Sequence, residues 1–322
     1  MIQSEIISEK WIPSPTIKTH TGNTIPQDLL FFCQPPDGIG NVISAYSTAK
    51  NGKQLASPAK IWVAMGCCVL LGLMLGVLVN SLTGIKPVYD SGWTLWLPIA
   101  ILFIFIKFGI RFFPTDFECT FVGDQGWARI SIDRKQIKTT QLLFNNCSKL
   151  FTKLWFYYKN GRSGGPFYEL HWLDSNNMEV GKLSEYANSS IQTLPDNHIL
   201  HFVIAAERSW TNFFSPKAKG VLQTGGTVTF SLKNSNSKKV GAIQLTSTDI
   251  RIQYEDSYMS IQFSDMEPVE IFHENFGTGG KEECVMIRKK DVAKHIWGQT
   301  TLTIPISAIE NAQFLLDELA KE

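Results

Sequence analysis

Two long apolar runs close together constrain this chain more than any other feature. From Ile61 to Leu82 it reads IWVAMGCCVLLGLMLGVLVNSL, 22 residues without a charge, and from Trp93 to Phe113 it reads WTLWLPIAILFIFIKFGIRFF. About 20 apolar residues in a helix span the roughly 30 Å hydrocarbon core of a bilayer, so both runs are expected to be transmembrane helices. In the second run Lys107 and Arg111 lie near one end, where long side chains reach the headgroups, and Trp93 and Trp96 stand at the other. The joining stretch, 83–92, is short and carries Lys86, Pro87, Asp90 and Gly92, so the expected arrangement is a two-helix hairpin over 61–113.

A hairpin puts both termini on one side. Lys50, Lys53, Lys60, Lys107 and Arg111 flank it against Lys86 alone in the loop, and the positive-inside rule then predicts cytoplasmic termini at the inner (plasma) membrane. Gly72 and Gly76 make a GxxxG face suited to close helix packing, either within the hairpin or in a homo-oligomer. No Asp, Glu or His stands between the ends of either run, so nothing in them suggests a proton or ion pathway.

Charge excludes one class of partner. The net charge of +1 divides into 8 basic and 6 acidic residues over 1–116, 10 and 9 over 117–215, and 12 and 14 over 216–322. None of these is a polycation, which argues against nucleic acid as a partner. The six cysteines include an adjacent pair, Cys67 and Cys68, but no CxxC, a pattern that fits reduced thiols on the cytoplasmic face rather than a disulfide framework or a zinc site.

After Pro114 the pattern changes to alternating strands broken by turn residues. Strands are predicted at 117–122, 127–132, 139–144, 150–158, 167–173 and 178–183, followed by Asp196 as N-cap and a helix over 198–214 whose apolar face holds Phe202, Val203, Ala206 and Trp210. A linker over 215–226 leads to a second series of strands at 227–232, 242–246, 250–254, 258–263, 269–273, 284–288 and 301–304. That series closes in a helix with Ser307 and Glu310 as a capping box. Leu142 to Cys147 also aligns with Ile261 to Met266 at an offset of 119 residues, and with the repeated order of elements this predicts a tandem duplication.

Antiparallel strands closed by one amphipathic helix, with the closing stretch TIPISAIENAQFLLDEL, resemble bacterial membrane-anchored proteins with PH-like domains of uncharacterised function. The resemblance covers about 117–322. It implies two PH-like bent barrels, 117–214 and 227–322, each closed by a C-terminal helix, and a binding module rather than an enzyme. Residues 1–60, rich in Pro, Gly, Ser and Thr, are expected to form a mostly irregular cytosolic segment.

The chain carries few marks of catalytic chemistry. GTGGK at 277–281 lacks the spacing of a phosphate loop, no G-x-S-x-G or H-E-x-x-H occurs, and His198 and His201, at i and i+3, have no third metal ligand at the usual spacing. No cofactor is expected. Arg129, Arg134, Lys135 and Lys138 cluster on an early strand and its turn, where PH domains that bind phosphoinositides carry basic residues, and they are the candidate lipid or partner site. The sequence therefore predicts a membrane-tethered interaction or scaffold protein that binds a protein, peptide or lipid. The alternative is an oligomeric membrane effector or channel component with cytosolic sensing domains.

Overall fold

The computed structural model describes residues 11–26, 31–49, 58–83, 99–101, 117–132, 137–159, 162–233, 238–276, 280–290 and 301–321, and within the helix at 58–83 it describes side chains at 66–75, 77, 78 and 81. Two units follow one plan, a four-stranded sheet, then three strands, then a helix. In the first, β1 (Val42–Ser47), β2 (Phe117–Gly123), β3 (Gly126–Ile132) and β4 (Ile137–Leu143) pair in that order. They are followed by β5 (Lys149–Lys159), β6 (Arg162–Leu173), β7 (Glu179–Tyr186) and the helix α2 (Leu200–Gln223). In the second, β8 (Val228–Lys233) to β11 (Ser257–Gln262) form a sheet with β9 (Lys239–Leu245) and β10 (Asp249–Tyr254) between them. β12 (Glu270–Phe276), β13 (Gly280–Arg288), β14 (Thr301–Pro305) and α3 (Ala312–Leu319) complete it.

The 119-residue echo has a structural counterpart. The strands β4 and β11 each run into a single 3-10 turn, Phe144–Asn146 and Phe263–Asp265, closed by Cys147 N–H donating to Phe144 O at 3.0 Å and Met266 N–H donating to Phe263 O at 3.1 Å. Every strand pair is antiparallel, and alternation sets which side chains are buried. In the second sheet Ile250, Ile252, Met259 and Ile261 point inward while their neighbours meet water. The first sheet is buried on both faces: Val122, Trp127 and Leu142 pack under α2, while Cys119, Phe121, Ala128 and Ile130 pack under Ile17, Ile25, Phe32 and Ile39.

That second cover is irregular chain over most of its described length, with one strand that the sequence does not mark. Val42–Ser47 is a strand paired to β2, with Ser47 opposite Cys119, and Ile17, Ile25, Phe32, Cys33 and Ile39 are buried against the sheet. His20 pins the segment in place, its ring nitrogens bonded to the hydroxyls of Ser44 on β1 at 2.8 Å and Thr120 on β2 at 2.9 Å. Burial, helped by the charge of His201, holds the His20 imidazole down to about 3, so it is neutral at physiological pH. Asp196, expected to cap α2, instead accepts bonds from Thr21 and Asn23 at 3.1 and 2.9 Å.

The chain thus leaves the first sheet at Ala49 and re-enters it at Phe117, and the two ends lie side by side, with Thr48 N–H donating to Glu118 O at 3.0 Å. Between them runs α1 (Pro58–Thr83). Its Leu71, Met74, Val77 and Leu78 are exposed and belong to none of the three cores. Its described side chains are continuous only over 66–75, and the second apolar run contributes only the helical residues 99–101 to the description. Among the described residues no helix is long and apolar enough to cross a membrane. The two-helix transmembrane hairpin, and the inner-membrane location with cytoplasmic termini that followed from it, are corrected accordingly. Gly72 lies within α1 and is buried; the side-chain position of Gly76 lies outside the described residues.

Two further expectations fail at helix ends. The linker over 215–226 is largely helix, since α2 continues through Pro216 to Gln223. The capping box is not formed: Ser307 hydrogen-bonds Glu282, Glu310 accepts from Ser231 N–H at 3.0 Å, and α3 starts after Asn311 in the left-handed conformation, φ 50°.

The units are fused. Gly280, Lys281 and Glu282 of β13 pair with Tyr157, Phe156 and Trp155 of β5, making one continuous sheet across the boundary. Asn311 reinforces the seam: its side-chain oxygen accepts from Leu150 N–H at 3.0 Å and from Trp210 Nε1–H at 2.9 Å, and its own N–H donates to Leu150 O at 2.8 Å. Phe214 of α2 meets Phe314 of α3 edge to face, with centroids 5.4 Å apart.

Candidate binding cleft between the two units

Fusion along one sheet leaves a cavity of about 250 Å³ where α2 and α3 approach the seam. The first unit supplies Thr152 and Leu154, two apart on β5 and so on one face, with Tyr168 on β6 and Glu207 on α2. The second unit supplies Ile271 on β12, Glu283 on β13 and Ile306. Ala312, Gln313, Leu316, Asp317 and Ala320 line one side of α3 and its end, while Phe314, Leu315 and Leu319 on the other side enter the core.

Glu207 forms the floor. It is buried on the packed face of α2, between Val203 and Trp210, and its two carboxylate oxygens accept from the hydroxyls of Thr152 and Tyr168. Burial pushes its carboxyl above the usual carboxylate range; the two hydroxyl bonds oppose that, and the charges of Glu283 and Asp317 add to it. Burial also raises Glu283, against the pull of His273, and pushes the Tyr168 phenol well up, with Glu207 contributing. The cleft is therefore lined by carboxyl groups, with Leu154, Leu316 and the half-exposed Ile271 as apolar walls.

The residues singled out from the sequence are elsewhere. Arg129 on β3 is engaged by Glu118 of β2 in a two-pronged ion pair, Nε to Oε1 at 2.8 Å and Nη2 to Oε2 at 2.9 Å. Lys138 is exposed on β4 opposite Ser131, and Arg134 and Lys135 lie outside the described residues. His198 accepts from Leu200 N–H at 3.2 Å, and among the described residues no group of three or more His, Cys, Asp or Glu could hold a metal. Sequence reasoning missed the cleft, whose lining runs from position 152 to 320. One signal was available: Glu207 is a charge set among Val203, Ala206 and Trp210 on the apolar face of a helix.

Compared with models of known protein families and with functionally curated proteins, the chain matches none.

Proposed function

We propose that the chain is an interaction protein, not an enzyme, built from two PH-like units and holding a segment of a protein partner in the cleft where they join. The observation that carries the reading is the composition of the cleft, which draws on both units at once. A site that exists only when the units are fused gives the duplication a use that neither half has alone. Its apolar walls and few placed polar groups suit binding. The strand order and closing helices support the PH-like reading, and fold likeness alone assigns no ligand.

A photo-crosslinking amino acid tests the proposal. Placed at the exposed Gln313, it should yield one discrete heavier adduct when the protein is irradiated in its native cell; placed at Tyr258, exposed on the remote edge strand β11, it should yield none. No adduct at Gln313, or the same adduct from both positions, would contradict the reading.

A further inference from the structure

We infer that the cleft receives an organic cation on an apolar stem, the end of a lysine or arginine side chain from the partner, with its charge at Glu207 and its stem against Leu154, Ile271 and Leu316. The inference rests on the cleft being the binding site and adds the chemistry of its occupant.

Three observations point to a cation. The described lining holds Glu207, Glu283 and Asp317 and no Lys, Arg or His. Glu207 also differs from the other buried glutamates. Glu169 is paired with His171 at 3.1 Å and with Lys182, and Glu310 with Lys149 at 3.7 Å, whereas among the described residues Glu207 has only the two neutral hydroxyls. A buried carboxylate is normally paired or neutralised, so this one lacks a counter-charge that a ligand can supply. The cavity, at about 250 Å³, has room for one long side chain. A bare divalent ion fits less well, because calcium and magnesium take six or more oxygen ligands and the Glu207 oxygens already accept from Thr152 and Tyr168.

Protonation must then oppose binding. The groups facing Glu207 are Thr152 on β5, Tyr168 on β6 with Arg208 acting on it from α2, Glu283 on β13 with His273 of β12 beside it, and Asp317 on α3. A cation binds the carboxylate form, so binding is strongest above the raised range in which Glu207 and Glu283 titrate and is lost as the pH falls through it.

The experiment is a titration of the full-length protein with n-butylguanidinium, n-butylammonium, n-butanol and butyrate, followed by ligand-observed NMR at pH 8 and pH 5. The two cations should bind with a dissociation constant on the order of 1 mM at pH 8 and at least tenfold more weakly at pH 5. Glu207→Gln should abolish the binding, and Glu283→Gln, at a half-buried position, and Asp317→Asn, at an exposed one, should each weaken it several-fold. Failure of both cations to bind, binding of n-butanol or butyrate as strong as theirs, or unchanged binding in Glu283→Gln and Asp317→Asn would overturn the inference. An adduct at Gln313 without cation binding would overturn the cation alone and leave the cleft as the partner site.

Discussion

A fragment running from residue 117 to the C-terminus should fail to fold its first unit and be recovered as aggregate, although it contains all the strands that the sequence marks after Pro114. Without β1 the edge of β2 is open, and without residues 11–49 the face formed by Cys119, Phe121, Ala128 and Ile130 loses its cover of Ile17, Ile25, Phe32, Cys33 and Ile39. Burying a large aliphatic or aromatic side chain stabilises by about 1.5–3 kcal/mol, so the combined loss is comparable with the roughly 5–15 kcal/mol that holds a domain together. Exposed strand edges also recruit other chains. Joining Ala49 to Phe117 through a linker of a few Gly and Ser residues should restore a soluble, cooperatively unfolding protein, because the two ends are already neighbours in an antiparallel pair. Solubility measured by sedimentation, and folding by thermal melting, check both chains. A well-folded 117–322 fragment, or a linked chain that aggregates, would contradict the placement of β1.

Asn311→Ala should cost at least about 3 kcal/mol, a large loss for one buried polar residue. It leaves two buried donors, Leu150 N–H and Trp210 Nε1–H, without their acceptor, each worth roughly 1–3 kcal/mol when orphaned. It also places alanine at φ 50°, a conformation that Asn tolerates and that costs other residues about 1–2 kcal/mol. Asn311→Gly removes that second cost while keeping the first, so it should sit about 1 kcal/mol above the alanine variant. Urea unfolding followed by tryptophan fluorescence measures both. Stability of Asn311→Ala within about 1 kcal/mol of wild type would show that this side chain does not hold the seam.

The strands and the repeat were legible because alternation and turn residues are local signals. Ile250, Ile252, Met259 and Ile261 alternate with polar neighbours, and the motif from Leu142 to Cys147, like that from Ile261 to Met266, marks the same 3-10 turn in both units. What was missed depends on distant partners. Val42–Ser47 is six residues in a stretch rich in Pro and Gly, and its strand partner follows only after the whole apolar segment. Pro216 and Gly220 read as linker although the preceding turns of α2, anchored by Trp210 and Phe213, carry the helix through them. Ser307 and Glu310 have the spacing of a capping box, but each is drawn to another strand, to Glu282 and Ser231. The cleft was the least legible, since Thr152, Glu207 and Asp317 become neighbours only once both units have formed.

The central claim is that the two units are one body, so that a cleft of fixed shape stands between them. Spin labels at Ser184→Cys on β7 and Ser260→Cys on β11, both exposed, with Cys67, Cys68 and Cys147 replaced by Ser, report the separation of the units directly through their dipolar coupling. A single narrow distance distribution is predicted for the wild-type seam, broadening when Asn311 is replaced by Ala. A broad or two-peaked distribution in the wild-type background would contradict the claim, because sheet pairing between β5 and β13 could not then be holding the units together.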